Sequence, residues 1–144
     1  MVAPGERKEA MKKVIALGLS LAFGWLALGA PANAFEFDGS WSTAPSSCSK
    51  VFEKRNGAIS FRQDSDQYGG GFIIEGNKIR GQMQACTITR RKEDGSVVYL
   101  VAHCADDIMT SNVQFSAKMI DDDTIARIFP GMPEFTLSYS RCRM

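Results

Sequence analysis

Four cysteines, one histidine and a few aspartate clusters hold most of the chemistry this 144-residue chain can offer. Cys48, Cys86, Cys104 and Cys142 form an even set, spaced by 38, 18 and 38 positions, with no C-x-x-C pair. No zinc knuckle has those intervals, so the set predicts two disulfides in an oxidising compartment and no metal. His103 is the sole histidine and directly precedes Cys104. With that thiol bridged, His103 has no cysteine to activate, and no serine stands in a G-x-S-x-G elbow. No catalytic residue is assigned.

Carboxylates cluster at Asp64-Ser65-Asp66, Asp106-Asp107 and Asp121-Asp122-Asp123. Each cluster falls in a predicted turn, where an aspartate side chain bonds the nearby backbone, and none has the length and closing glutamate of a calcium loop. Gly69-Gly70-Gly71 would cradle a phosphate only if a helix followed, whereas Phe72-Ile73-Ile74 follows and reads as the start of a strand. No cofactor is expected. Phe129-Pro130-Gly131-Met132-Pro133 is the candidate binding loop: its two prolines stiffen the connection, so presenting Met132 to a partner costs little entropy. Ordinary turn chemistry is the alternative use of those residues.

Charge narrows the partners. From Phe35 onward the chain has 13 basic and 14 acidic residues, a net charge of minus one. Arg90-Arg91-Lys92 is followed at once by Glu93-Asp94 and reads as a solvated hairpin end. No nucleic-acid partner is expected.

The amino terminus predicts export. Lys12 and Lys13 precede residues 14–28, which are uncharged and almost all apolar, and helix-breaking Pro31 precedes Ala32-Asn33-Ala34. This is the pattern of a secretory signal peptide cleaved between Ala34 and Phe35. Residues 1–34 are then the signal segment, with Met11 as an alternative start, and 35–144 a single disulfide-bonded domain in the periplasm or secreted. An apolar run of about 15 residues falls short of the roughly 20 that span a bilayer, so no membrane span is expected in the mature form.

The elements that must position these residues are strands. Ser111 to Ile120 alternates, with Val113, Phe115, Ala117 and Met119 on one face and Asn112, Gln114, Ser116 and Lys118 on the other. The same period places Ile59 and Phe61 inward on Ala58 to Gln63, Phe72 and Ile74 inward on Gly71 to Glu75, and Leu137 inward on Phe135 to Tyr139. Turn signals at Gly76-Asn77, Glu93-Asp94-Gly95 and Asp121-Asp122-Asp123 make hairpins of sequential neighbours. The fold class predicted is all-β, a small antiparallel meander of eight or nine strands. Closure into an up-and-down barrel removes the exposed edges and is favoured over a sandwich, with a Greek key as the other connection.

Hairpin register bears on the cysteines. Cys86 and Cys104 are symmetric about Gly95 and share a face with Ile88, Val98, Leu100 and Ala102, so they are expected to bridge on the core side. Cys48 and Cys142 are then left to each other. Strict alternation puts Cys142 beside Ser138 and Ser140, opposite Phe135, Leu137 and Tyr139, so this pairing calls for a bulge near Arg141. Cys48 to Cys86 with Cys104 to Cys142 remains open.

Two resemblances add to this reading. Phe37-Asp38-Gly39-Ser40-Trp41 resembles the G-x-W of the first strand in lipocalin-like barrels, which implies a barrel floor plugged by Trp41 with Arg141 or Arg143 packed on it. Small periplasmic protease inhibitors share such a compact barrel and resemble the chain at Gly39-Ser40-Trp41 and Cys48. Over nearly all of 35–144 the chain is similar to an uncharacterised family of small exported proteins of Gram-negative bacteria. The shared segments are Trp41-Ser42-Thr43, Cys48-Ser49-Lys50-Val51-Phe52, Gly70-Gly71-Phe72-Ile73, Arg91 to Ser96 and Arg127 to Pro133. This second resemblance implies export and transfers no activity.

The leading functional expectation is a non-catalytic exported binding module, inhibitor-like, engaging an envelope or secreted protein through its loops. The alternatives are a lipocalin-like carrier of a small apolar ligand, with a cavity behind Trp41 lined by Phe61, Phe72, Val113 and Phe115, and a structural envelope component. An enzyme is expected only if His103 converges with the carboxylates in a cleft.

Overall fold

A computed structural model describes residues 35–144; the expected signal segment, 1–34, lies outside the described residues. Strands dominate, as the period-two pattern requires. In chain order they are β1 (Gly39–Ser42), β2 (Phe52–Arg55), β3 (Ala58–Phe61), β4 (Gly71–Glu75), β5 (Lys78–Arg80), β6 (Ala85–Asp94), β7 (Val97–Ala105), β8 (Thr110–Asp121), β9 (Thr124–Ile128) and β10 (Thr136–Cys142). A single helical turn, α1 (Cys48–Val51), precedes β2. No helix among the described residues is long and apolar enough to cross a membrane.

Eight strands close into an antiparallel barrel in the order β1-β10-β9-β8-β7-β6-β5-β4. From β4 to β10 each strand pairs with its sequence neighbour, and β1 closes the ring between β10 and β4, so the barrel is an up-and-down meander. Both disulfides form as the register reading favoured, Cys86–Cys104 and Cys48–Cys142. Cys86 faces Cys104 across the β6–β7 hairpin, ahead of a bulge between Ile88 and Arg90.

Three expectations are corrected. The segment Ala58–Phe61 is not a barrel strand: β3 pairs only with β2, in a separate two-stranded hairpin between β1 and β4. Ile59 and Phe61 therefore pack on the outside of the barrel, in a second core of Val51, Phe52, Ile73 and Cys142. The bulge expected near Arg141 does not occur, because β10 pairs with β1 through Ser140, Arg141 and Cys142 without a shift. Cys142 points outward, as strict alternation has it, and meets Cys48 in this outer core. Finally, the last strand starts at Thr136, and Phe135 is 52% exposed in the preceding loop.

The outer core explains the unbroken apolar run of β4. Phe72 and Ile74 face the barrel interior while Ile73, on the opposite face, is fully buried beneath α1 and β2. Burial on both faces selects continuous hydrophobicity. Gly71 is required by close approach: a Cβ there would stand 2.7 Å from the Trp41 carbonyl oxygen and 2.9 Å from Phe52 Cζ.

Candidate functional site

The two ends of the barrel differ. Antiparallel neighbours put connections 76–77, 95–96 and 122–123 at one end, and 43–70, 81–84, 106–109 and 129–135 at the other.

The first end is plugged. Trp41 is fully buried and its indole Nε1 donates to the Phe37 carbonyl at 3.1 Å. Phe35 and Phe37 pack on it with ring centres 6.2 and 5.8 Å away. Arg141 lies across the indole, its guanidinium carbon 4.3 Å from the ring centre. It donates to the carbonyls of Asp38, at 2.6 Å, and Glu36, tying the incoming chain across the floor. Of the two arginines the sequence offered, Arg141 takes this place, while Arg143 bonds both carboxylate oxygens of Asp123 at 2.7 and 2.8 Å.

The second end is open. Val98, Leu100, Ala117 and Ile125 fill the barrel near the floor, but toward the other end the interior gives way to a cavity of about 200 Å³. Phe72, Val113 and Phe115 line it as expected, together with the Cys86–Cys104 bridge and Tyr139. Phe61 does not, since it belongs to the outer hairpin. The polar residues lining this cavity are Arg127, Gln84 and Tyr139.

Three loops around this mouth carry exposed apolar side chains: Met83 between β5 and β6, Ile108 and Met109 between β7 and β8, and Met132 and Phe135 between β9 and β10. Ile108 and Met83 are 90% and 87% exposed. The loops are nonetheless ordered by their own bonds. Asp106 Oδ1 accepts the backbone N–H of Ile108 and of Met109, both at 2.9 Å, and these bonds hold its carboxyl below the ordinary aspartate value. In the candidate binding loop the Met132 N–H donates to the Phe129 carbonyl and the Phe135 N–H to the Met132 carbonyl, while the Phe129 and Phe135 rings stand 5.0 Å apart. Met132 is half exposed at its tip.

The remaining titratable groups do not converge. His103 is exposed on the outer wall of β7, its Nδ1 3.2 Å from Asn112 Oδ1. Asp106 and Asp107 sit at the mouth, and Asp121 to Asp123 at the plugged end, where Asp121 Oδ1 caps the Asp123 N–H at 2.9 Å. Among the described residues no group of three or more His, Cys, Asp or Glu side chains is placed to hold a metal ion.

Sequence reasoning missed Arg127. It shares the inward face of β9 with the buried Ile125, so the signal was present in the alternation, carried by a charged residue where an apolar one is the rule. No known protein family matches the chain, and neither the curated proteins nor the solved structures hold a match to it.

Proposed function

We propose that the mature domain is an exported, non-catalytic binding module of the lipocalin-like kind, which holds a small apolar ligand in the mouth of its barrel. The observation that carries this reading is the difference between the two ends. Trp41 and Arg141 seal one, while the other opens on an apolar cavity rimmed by exposed Met83, Ile108, Met109 and Met132. Pockets that bind small molecules are concave, mostly apolar and furnished with a few polar groups. Export is supported by the two disulfides and by the basic, apolar and small-residue pattern of residues 12–34. A non-catalytic role is supported by the dispersal of His103 and the aspartates over separate faces and ends.

The test is a titration of the isotopically labelled domain with a neutral apolar probe, 2-phenylethanol, followed by two-dimensional NMR. Shifts should concentrate at Phe72, Val113, Phe115 and the Cys86–Cys104 hairpin, with the floor around Trp41 quiet. Absence of any shift at those cavity residues up to the solubility of the probe contradicts the reading.

An inhibitor-like protein binder is the second reading, favoured by Met132 standing half exposed between Pro130 and Pro133 on a loop with internal hydrogen bonds. It requires stoichiometric inhibition of an endopeptidase that Met132→Asp abolishes. Full protease activity in the presence of excess domain, across serine, cysteine and metallo-endopeptidases, counts against it.

A further inference from the structure

We infer that the mouth cavity selects a small amphipathic anion, a carboxylate on an aromatic or short aliphatic body, and that Arg127 is its anchor; this deepens, and rests on, the carrier reading above. Three arginines of the described chain are half-buried: Arg80, Arg127 and Arg141. Arg80 is bonded to Glu75 at 3.1 Å and to the Ile59 carbonyl at 2.8 Å, and Arg141 has Asp123 at 3.6 Å besides its carbonyl partners. Arg127 differs from both. Among the described residues it forms no ion pair and its side chain makes no hydrogen bond.

Its position is nevertheless defined. The guanidinium carbon lies 5.0 Å from the ring centre of Phe115 and 4.9 Å from that of Phe129, so the aromatic faces hold the cation at the edge of the cavity. Cation–π contact of this kind uses the charge of the guanidinium and supplies no acceptor oxygen for its N–H donors. Five donors in a fixed fork, partly withdrawn from water beside apolar walls, are matched by the two oxygens of a carboxylate. A ligand cation would be repelled.

Size and wall chemistry define the rest of the ligand. An apolar cavity of roughly 150 Å³ takes up benzene. The cavity here, about 200 Å³ and lined by Phe72, Val113 and Phe115, has room for a ring of that size with a short acidic arm. A bare inorganic anion would leave these walls unfilled.

Calorimetric titration of the mature, disulfide-bonded domain with phenylacetate and with its neutral counterpart 2-phenylethanol separates the two layers of the proposal. Wild type should bind phenylacetate roughly ten- to a hundredfold more tightly than the alcohol, the range that charged hydrogen bonds give. Arg127→Met should remove that preference, bringing the affinity for phenylacetate down to that for the alcohol. Equal affinity of wild type for both ligands, or a preference that survives Arg127→Met, overturns the anion inference and leaves the carrier reading standing. Binding of neither ligand overturns both. If Arg127→Met does not fold, Arg127→Lys serves instead: it keeps the charge without the fork, so the preference should narrow but persist, and an unchanged or absent preference overturns the inference.

Discussion

The guanidinium carbon of Arg141 lies over the Trp41 indole, 4.3 Å from its centre, and the same side chain bonds the Asp38 and Glu36 carbonyls. One arginine thus closes the barrel floor and fixes the chain that enters it. With only 14% of its side chain exposed, its contacts are weakly screened. Arg141→Ala is expected to destabilise the domain by roughly 2 to 4 kcal/mol, from lost charged hydrogen bonds and cation–π contact. Arg143→Ala, whose side chain is 75% exposed beside Asp123, should leave the denaturation midpoint close to that of wild type, because an exposed pair is screened by solvent. Urea denaturation of both variants checks the contrast.

The two disulfides should contribute unequally. Cys48–Cys142 spans 94 positions and Cys86–Cys104 spans 18. On the chain-entropy picture these loops correspond to about 4.7 and about 3 kcal/mol. Replacing Cys48 and Cys142 together by alanine should therefore lower the denaturation midpoint more than the same change at Cys86 and Cys104. The longer bridge also pins α1 and the outer hairpin to β10, so hydrogen exchange over residues 44–70 should accelerate selectively in the first variant.

Gly71 and Gly70 make a matched pair. A Cβ at Gly71 meets the Trp41 carbonyl oxygen at 2.7 Å, whereas one at Gly70 meets only the Thr43 methyl at 3.5 Å. Gly71→Ala should cost roughly 1 to 3 kcal/mol as an overpacking change. Gly70→Ala should stay within about 0.5 kcal/mol, and thermal melts of the two variants decide.

Acid should loosen one rim loop before the barrel. The Ile108 and Met109 amides hold the Asp106 carboxyl below its ordinary value of 3.8. A lowered folded-state pKa gives stabilisation that is fully present above the unfolded value and is lost as pH falls through the folded one. In an NMR pH titration the Ile108 and Met109 amide signals should move together with a midpoint below 3.8, while Val98 and Leu100 remain native. Asp106→Asn should abolish that midpoint.

Much of this architecture is legible in the residues, and the exceptions have a common cause. Period-two alternation identifies Val113, Phe115 and Ala117 as a wall of the core, and the symmetry of Cys86 and Cys104 about Gly95 favours the pairing that the structure shows. Alternation states which side chains share a face, but not what that face meets. Ile59 and Phe61 alternate like barrel residues and instead serve the outer core, for which the unbroken Phe72-Ile73-Ile74 was the cue. Alternation places Cys142 opposite Tyr139 for the same reason, and no bulge is needed because that side is a second buried surface. Arg127 escaped notice because a charged residue on an inward face breaks the pattern by which inward faces are found. The floor was legible at Trp41, through Gly39-Ser40-Trp41, with Arg141 and Arg143 both offered as its cover; the mouth depends on loops from three separate hairpins, which no local pattern brings together.

Binding at the open end is tested most directly by filling it. Val113 lines the cavity from β8, away from the floor, and Val113→Trp would occupy much of its roughly 200 Å³. Calorimetric titration with 2-phenylethanol, on a variant shown by its melt to be folded, should show affinity at least about tenfold below that of wild type. Undiminished binding to that variant would place the ligand elsewhere and contradict the mouth as the functional site.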